Sequence, residues 1–163
     1  MENTSATQQI ISYLTFSLGY EHFALNVGQV INILEMQTIT IVPKSPSYMP
    51  GIINLRGEVL PVIDGNVKLG LVSAEKTVNT CILVVEAEHN NDSLKLGIMV
   101  DAVHEVLEIE DEQILDPPSI SEESGDILSG VVEQKDKFIM VLDIAKFLTN
   151  KEIVELKKLS NSK

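Results

Sequence analysis

Bases are scarce in this chain and arginine nearly absent: 12 Lys and Arg stand against 24 Asp and Glu, the net charge is −12, and Arg56 is the one arginine. That imbalance disfavours nucleic acid and anionic lipid as partners by simple repulsion. Cysteine occurs once, as Cys81 inside the apolar run Cys81-Ile82-Leu83-Val84-Val85, where it reads as a small core residue in a reducing compartment. No apolar run approaches the ~18 residues of a membrane span, and Met1-Glu2-Asn3-Thr4-Ser5 has neither the basic nor the apolar region of a leader, so a cytoplasmic protein without membrane insertion is expected. Catalytic constellations are missing as well. His22, His89 and His104 share no zinc-ligand spacing, no serine sits in a nucleophile elbow, and Gly65 and Gly70 lack the spacing of a phosphate loop. The acidic run Glu108-Glu110-Asp111-Glu112 lacks the alternating oxygen ligands and central glycine of a calcium loop and reads as a solvated edge. The expectation is a protein that is not an enzyme and holds no cofactor or metal.

What is present is β structure. At 163 residues and 44% hydrophobic, the chain has enough apolar surface for a real core. Residues 1–9 are polar and aperiodic, a disordered tail. From Ile10 to Leu18 the pattern has period 2, and Gly19-Tyr20-Glu21-His22 reads as a turn into Phe23-Ala24-Leu25, with Asn26 capping a short turn before Val30. Thr38 to Val42 alternates as a strand up to Pro43, and Ser47-Tyr48-Met49 suits one helical turn among three prolines. Gly51 to Asp64 is a hairpin about Arg56-Gly57, followed by a helical turn that Gly70 stops. Strand signals resume at Thr80 and run through Ile109; Pro117 to Gly125 is a surface loop, and Lys135-Asp136 turns a last hairpin. From Ile144 the spacing becomes helical, with Phe147, Leu148, Ile153, Leu156 and Leu159 as the apolar set.

The chain repeats itself. Phe23 to Glu35 aligns without gaps on Leu96 to Glu108, matching Val27, Val30, Leu34 and Glu35 with Val100, Val103, Leu107 and Glu108. Gly51, Val62, Asp64 and Leu69 fall on Gly130, Val141, Asp143 and Leu148. Each copy is a unit of about five short strands, small enough to need curling into a barrel or packing on its twin. The expected division is 10–72 for one subdomain, 73–79 for a linker, 80–143 for the second and 144–163 for a C-terminal helix and tail, with an end segment open to exchange between the two. The copies differ at their hairpin tips: Asn54-Leu55-Arg56-Gly57 stands against Glu133-Gln134-Lys135-Asp136. Arg56 suits either an internal ion pair that locks the hairpin or a contact with another protein.

Gly51-Ile52-Ile53-Asn54-Leu55-Arg56-Gly57-Glu58-Val59-Leu60-Pro61-Val62-Ile63-Asp64 closely resembles the signature hairpin of CheW-like chemotaxis coupling proteins. Phe16-Ser17-Leu18-Gly19, Val42-Pro43, Leu69-Gly70-Leu71, Gly97 to Val103, Val106-Leu107 and Val141-Leu142-Asp143 follow that family's order across residues 11–150. The resemblance implies one CheW-like domain of all-β class: two SH3-like five-stranded β-barrel subdomains packed together, with a short C-terminal helix. It also implies a cytoplasmic adaptor, recruited to membrane receptor arrays, that couples the tip of a chemoreceptor (a methyl-accepting chemotaxis protein) to the regulatory domain of the histidine kinase CheA. Carried over residue by residue, the receptor contacts are Val30, Asn32, Ile33, Asn54, Arg56, Gly57 and Val106. Two departures stand out: Asn32 replaces a common glutamate, and Gly65-Asn66 replaces a common Leu-Arg after Asp64. The alternatives are a CheV-type coupling domain lacking its receiver, and a small-ligand-binding β protein with a closed polar pocket between the barrels.

Overall fold

The computed structural model describes residues 9–72, 75–89, 92–117 and 127–160. Among the described residues ten strands and two α-helices follow one another: β1 (Ile10–Leu18), β2 (Glu21–Asn26), β3 (Val30–Glu35), β4 (Gly51–Leu55), β5 (Glu58–Asp64), α1 (Gly65–Lys68), β6 (Cys81–His89), β7 (Asp92–Val100), β8 (Ala102–Glu110), β9 (Leu128–Gln134), β10 (Lys137–Leu142) and α2 (Asn150–Ser160). They form two five-stranded sheets, in the orders β8-β1-β2-β10-β9 and β3-β6-β7-β5-β4. The expected all-β architecture of two five-stranded units with a C-terminal helix is what the chain adopts.

The division into 10–72 and 80–143 does not coincide with the sheets. Exchange goes well beyond an end segment: β1 and β2 share a sheet with β8, β9 and β10, while β3, β4 and β5 share one with β6 and β7. The reason lies in two connections. Only Asp101 separates β7 from β8, and a hairpin needs a loop of at least ~2 residues, so β8 cannot fold back on β7 and runs on into the other sheet. Val27–Gln29 does the same between β2 and β3 as a single 3-10 turn, with Asn26 Oδ1 accepting from the Gly28 N–H at 2.8 Å. Replacing every strand by its repeat partner turns one sheet order into the other, and the parallel pairings correspond: Val62 opposite Gly97 in one sheet, Val141 opposite Ala24 in the other.

The exchange produces three cores. Alternate side chains of β1, β6 and β7 (Leu14, Phe16, Leu18; Leu83, Val85; Leu96, Ile98) meet in one shared core between the sheets, which α2 closes with Ile153 and Leu156. The intervening side chains serve the individual barrels: Tyr13, Ala24, Ile109, Val132, Ile139 and Val141 in one, Ile53, Leu60, Val62, Ile82, Val84 and Met99 in the other. Burial on both faces is why Cys81–Val85 reads as an unbroken apolar run. Cys81 is a buried free thiol, and desolvation pushes its pKa up.

Three local expectations change. Thr38–Val42 is no strand: Thr40 alone bridges to Ile52, by hydrogen bonds of 2.9 and 2.8 Å, because the prolines that follow cannot extend a ladder. That crossing sits so close that a Cβ on Gly51 would lie 2.1 Å from the Thr40 carbonyl oxygen. Gly130 stands in the same relation to Ile114 and Leu115, whose bridge to Val131 is the counterpart, so the glycine shared by both copies marks the same close approach. Ser47–Met49 is a hydrogen-bonded turn, Met49 N–H to Pro46 O at 3.0 Å, and His22 lies within β2 and not in the turn before it. The tail up to residue 8, the start of the 73–79 linker and most of the Pro117–Gly125 loop lie outside the described residues.

The Gly65-Asn66 departure has a packing explanation. A Cβ on Gly65 would fall 2.9 Å from Leu18 Cδ2 and 3.0 Å from the Met99 carbonyl, so only glycine lets α1 seat there. Asp64 caps the helix by accepting from the Asn66 and Val67 N–H groups. Asn66, 2% exposed, donates through Nδ2 to Asp101 Oδ1 at 3.0 Å, and Asp101 Oδ2 accepts from the Gly19 N–H.

Candidate functional site

Where the sheets meet, a groove of about 350 Å³ is lined by Leu14, Val27, Val30, Ile31, Asn32, Ile33 and Val106. Its walls come from both units: Val30 to Ile33 belong to β3 at the end of one sheet, Val106 to β8 at the end of the other. It is open and apolar, with Ile31, Ile33 and Val106 each about half exposed (49, 46 and 54%). Aliphatic side chains clustered in water on a chain this acidic mark a surface built for association.

Backbone irregularity shapes the groove. In β3, Val30 faces Val85 and Asn32 faces Val84, leaving Ile31 as an extra residue in a bulge. Apolar side chains consequently stand outward at Ile31 and Ile33 while Leu34 packs against the inner barrel core. The matching bulge in β8 lies between Val103, opposite Phe16, and Val106, opposite Leu14. There the Thr15 hydroxyl fills the gap, donating to the Glu105 carbonyl at 2.8 Å and accepting from the Glu105 N–H at 3.0 Å. Asn32 Oδ1 is engaged by its own backbone neighbour, accepting from the Ile33 N–H at 2.9 Å.

Of the seven residues singled out in the sequence, the structure brings Val30, Asn32, Ile33 and Val106 together in this groove. Asn54, Arg56 and Gly57 do not line it; they form the tip of the β4–β5 hairpin. Arg56 and Gly57 have φ of 52° and 85°, as a two-residue turn of this type requires, and Asn54 Oδ1 accepts from the Gly57 N–H at 2.9 Å. Arg56 is exposed, and no ion pair holds it among the described residues. Of the two roles left open for it, the internal lock finds no partner among the described residues. Sequence reasoning missed Leu14, Val27 and Ile31 as groove residues. The signal for Ile31 was there: Val30-Ile31 and Ile33-Leu34 place apolar residues on both faces of an edge strand.

A second depression, about 550 Å³, lies where the β1–β2 turn meets the chain after α1, lined by Leu18, Tyr20, Glu21, Leu71, Val72 and Asp101 among others. None of the seven residues lines it. Among the described residues no three His, Cys, Asp or Glu side chains come together as metal ligands, and no helix is long and apolar enough to cross a membrane.

Comparison with known proteins says which family has this two-sheet body. The CheW-like domain model matches residues 12–152. The chain belongs to the CheW-like domain family. Chemotaxis protein CheW of Treponema pallidum is 31% identical over 147 residues, covering 90% of this chain and 86% of that protein. Chemotaxis protein CheW of Rhizobium meliloti is 31% identical over 140 residues, covering 85% and 88%. The crystal structure of the scaffolding protein TtCheW from Thermoanaerobacter tengcongensis superposes with a TM-score of 0.78 at 31% identity, over 88% of this chain and 97% of that one. As a member of the CheW-like family the chain is a chemotaxis coupling adaptor, and in the groove it presents the half-exposed side chains of Ile31, Ile33 and Val106.

Proposed function

We propose that the chain is a non-catalytic scaffold that couples a chemoreceptor to the histidine kinase CheA in the cytoplasm, recruited to membrane receptor arrays by those contacts. The receptor's helical tip lies in the groove, with Val30, Ile33 and Val106 as apolar anchors and Asn32 at the rim; Asn54, Arg56 and Gly57 present a second contact from the hairpin tip; other β surface meets the regulatory domain of CheA. The observation that carries this reading is the convergence of four candidate residues from two sheets on one open apolar groove. An amphipathic helix needs such a surface for its i, i+3, i+4 face. The rival reading, a small-ligand protein, calls for a closed polar pocket, and the groove is open and aliphatic.

Co-sedimentation with receptor signalling domains and CheA tests it. Ile33→Glu and Val106→Asp place charge on solvated aliphatic positions, so each variant keeps its thermal stability while receptor-dependent recovery falls about tenfold or more, the loss expected when a central anchor is replaced by a charge that must be desolvated. Undiminished ternary assembly with both variants would remove the groove from the proposal.

A further inference from the structure

Two of the three histidines, 82 residues apart in sequence, meet on one surface: the ring centres of His22 and His104 are 5.5 Å apart and inclined by 46°. Both are carried on rigid backbone. His22 sits in β2, paired to Ser17 on one side and to Ile139 on the other, so its strand lies inside the sheet. His104 is in the β8 bulge and is the repeat counterpart of Ile31, the bulge residue that the first copy turns into the groove. Its neighbour Glu105 is fixed by both hydrogen bonds to Thr15. Bulges re-aim side chains, and here the two copies use theirs differently: one supplies an aliphatic contact, the other an imidazole facing a second imidazole.

We infer that His22 and His104 form a two-imidazole clamp for a late first-row divalent cation such as Zn²⁺, with water completing the coordination. Two imidazoles bound tetrahedrally through nitrogens ~2.0 Å from one ion have ring centres ~5 Å apart, so 5.5 Å is closed by small side-chain rotations. Imidazole is a borderline-soft ligand that selects zinc, copper and nickel over magnesium and calcium. The ligands must be neutral, and His22 is biased that way: desolvation, then the charge of Lys137, then His104 lower its pKa against the opposing pull of Glu21. Lys137 also opposes the bound cation, while the overall charge of −12 favours it. Because β2 comes from one copy of the repeat and β8 from the other, an ion held there ties the exchanged strands together across β1.

The test is titration of the untagged full chain with Zn²⁺ at neutral pH, followed by calorimetry and by histidine ring resonances. One ion binds per chain, broadening or shifting His22 and His104 but not His89, and Mg²⁺ does not compete. His22→Ala and His104→Gln, changed separately, each weaken binding about a hundredfold, since either leaves a single-point ligand in place of a chelate, with unaltered circular dichroism. His89→Ala binds like the parent chain. Zn²⁺ bound as tightly by His22→Ala and His104→Gln as by the parent sits on carboxylates and overturns the inference, as does the absence of a 1:1 binding event.

Discussion

Arg56 occupies a backbone conformation that its own side chain penalises. A left-handed residue with a Cβ costs about 1 kcal/mol relative to glycine, and the φ of 52° at Arg56 offers no relief, since the side chain finds no ion pair among the described residues. The other hairpin shows that the turn does not require arginine: Lys135 and Asp136 hold the same two positions at φ of 49° and 69°. Arginine therefore stands there at a cost to the fold, which agrees with the contact proposed for it. Arg56→Asn, which gives the Asn-Gly sequence this turn prefers, is expected to raise stability by about 0.5–1 kcal/mol in urea denaturation while lowering ternary assembly with receptor and CheA. A drop in stability would mean that Arg56 supports its own barrel. The oddity of a lone arginine was legible in the sequence; its lack of an ion pair among the described residues was not, because 24 carboxylates left every pairing open until the strands were placed.

Helix α2 shows what an element owes to a few polar groups around an apolar stripe. Ile153 and Leu156 bury against the shared core, as the spacing of the C-terminal segment foretells. Its N-terminus is a capping box: Thr149 Oγ1 accepts from the Glu152 N–H at 3.2 Å, and Glu152 Oε1 accepts from the Thr149 N–H at 2.8 Å. Thr149 and Glu152 stand three apart in the sequence, a signal that the apolar pattern alone overlooks. Glu152 also accepts both hydrogen bonds of Lys68 Nζ, at 2.7 and 2.8 Å, and Lys68 lies 4.6 Å over the Tyr48 ring, so one carboxylate joins α2 to α1 and to the loop before β4. Burial raises the Tyr48 pKa, and the nearby Glu152 charge raises it further. For Glu152, desolvation pulls the carboxyl up, but hydrogen bonds from Lys68, Thr149 and Tyr48 and the charge of Lys68 outweigh it and hold the pKa below its ordinary 4.5. A carboxyl depressed in the folded state contributes stability that is complete above its unfolded pKa and is lost as pH falls through the folded one. Glu152→Gln is therefore expected to lower stability by about 1–2 kcal/mol at pH 7 and to flatten the loss of stability below pH ~4.5, read from urea midpoints across pH. An unchanged acid slope would show that other carboxylates carry it. Thr38–Val42 is the opposite case, an alternating segment that reads as a strand yet forms one bridge, because alternation reports which faces are apolar and not whether a partner strand lies alongside.

At the scale of the whole molecule, the repeat foretold five strands per copy and an end segment open to exchange, but the extent of the exchange went unread. Period-2 patterning is indifferent to which sheet a strand joins, since β1, β6 and β7 are largely buried on both faces; the informative feature was the length of two connections, one residue between β7 and β8 and three between β2 and β3. Exchange makes the halves interdependent. Residues 1–72 supply β1 to β5, but β3 meets β5 only through β6 and β7, and β1 and β2 lack β8 and β10. The shared core takes Leu14, Phe16 and Leu18 from one half and Leu83, Val85, Leu96 and Ile98 from the other, each worth about 1.5–3 kcal/mol on burial, far more than an isolated set of strands can forgo. Fragments cut within 73–79 are therefore expected to lack amide dispersion when expressed alone and to recover a single folded spectrum, and receptor binding, when mixed in equal amounts. The groove must follow the same rule, because Val30, Asn32 and Ile33 lie on one fragment and Val106 on the other. A dispersed spectrum from residues 1–72 alone would mean that each half can close its own barrel, and the coupling of groove to exchange would fail with it.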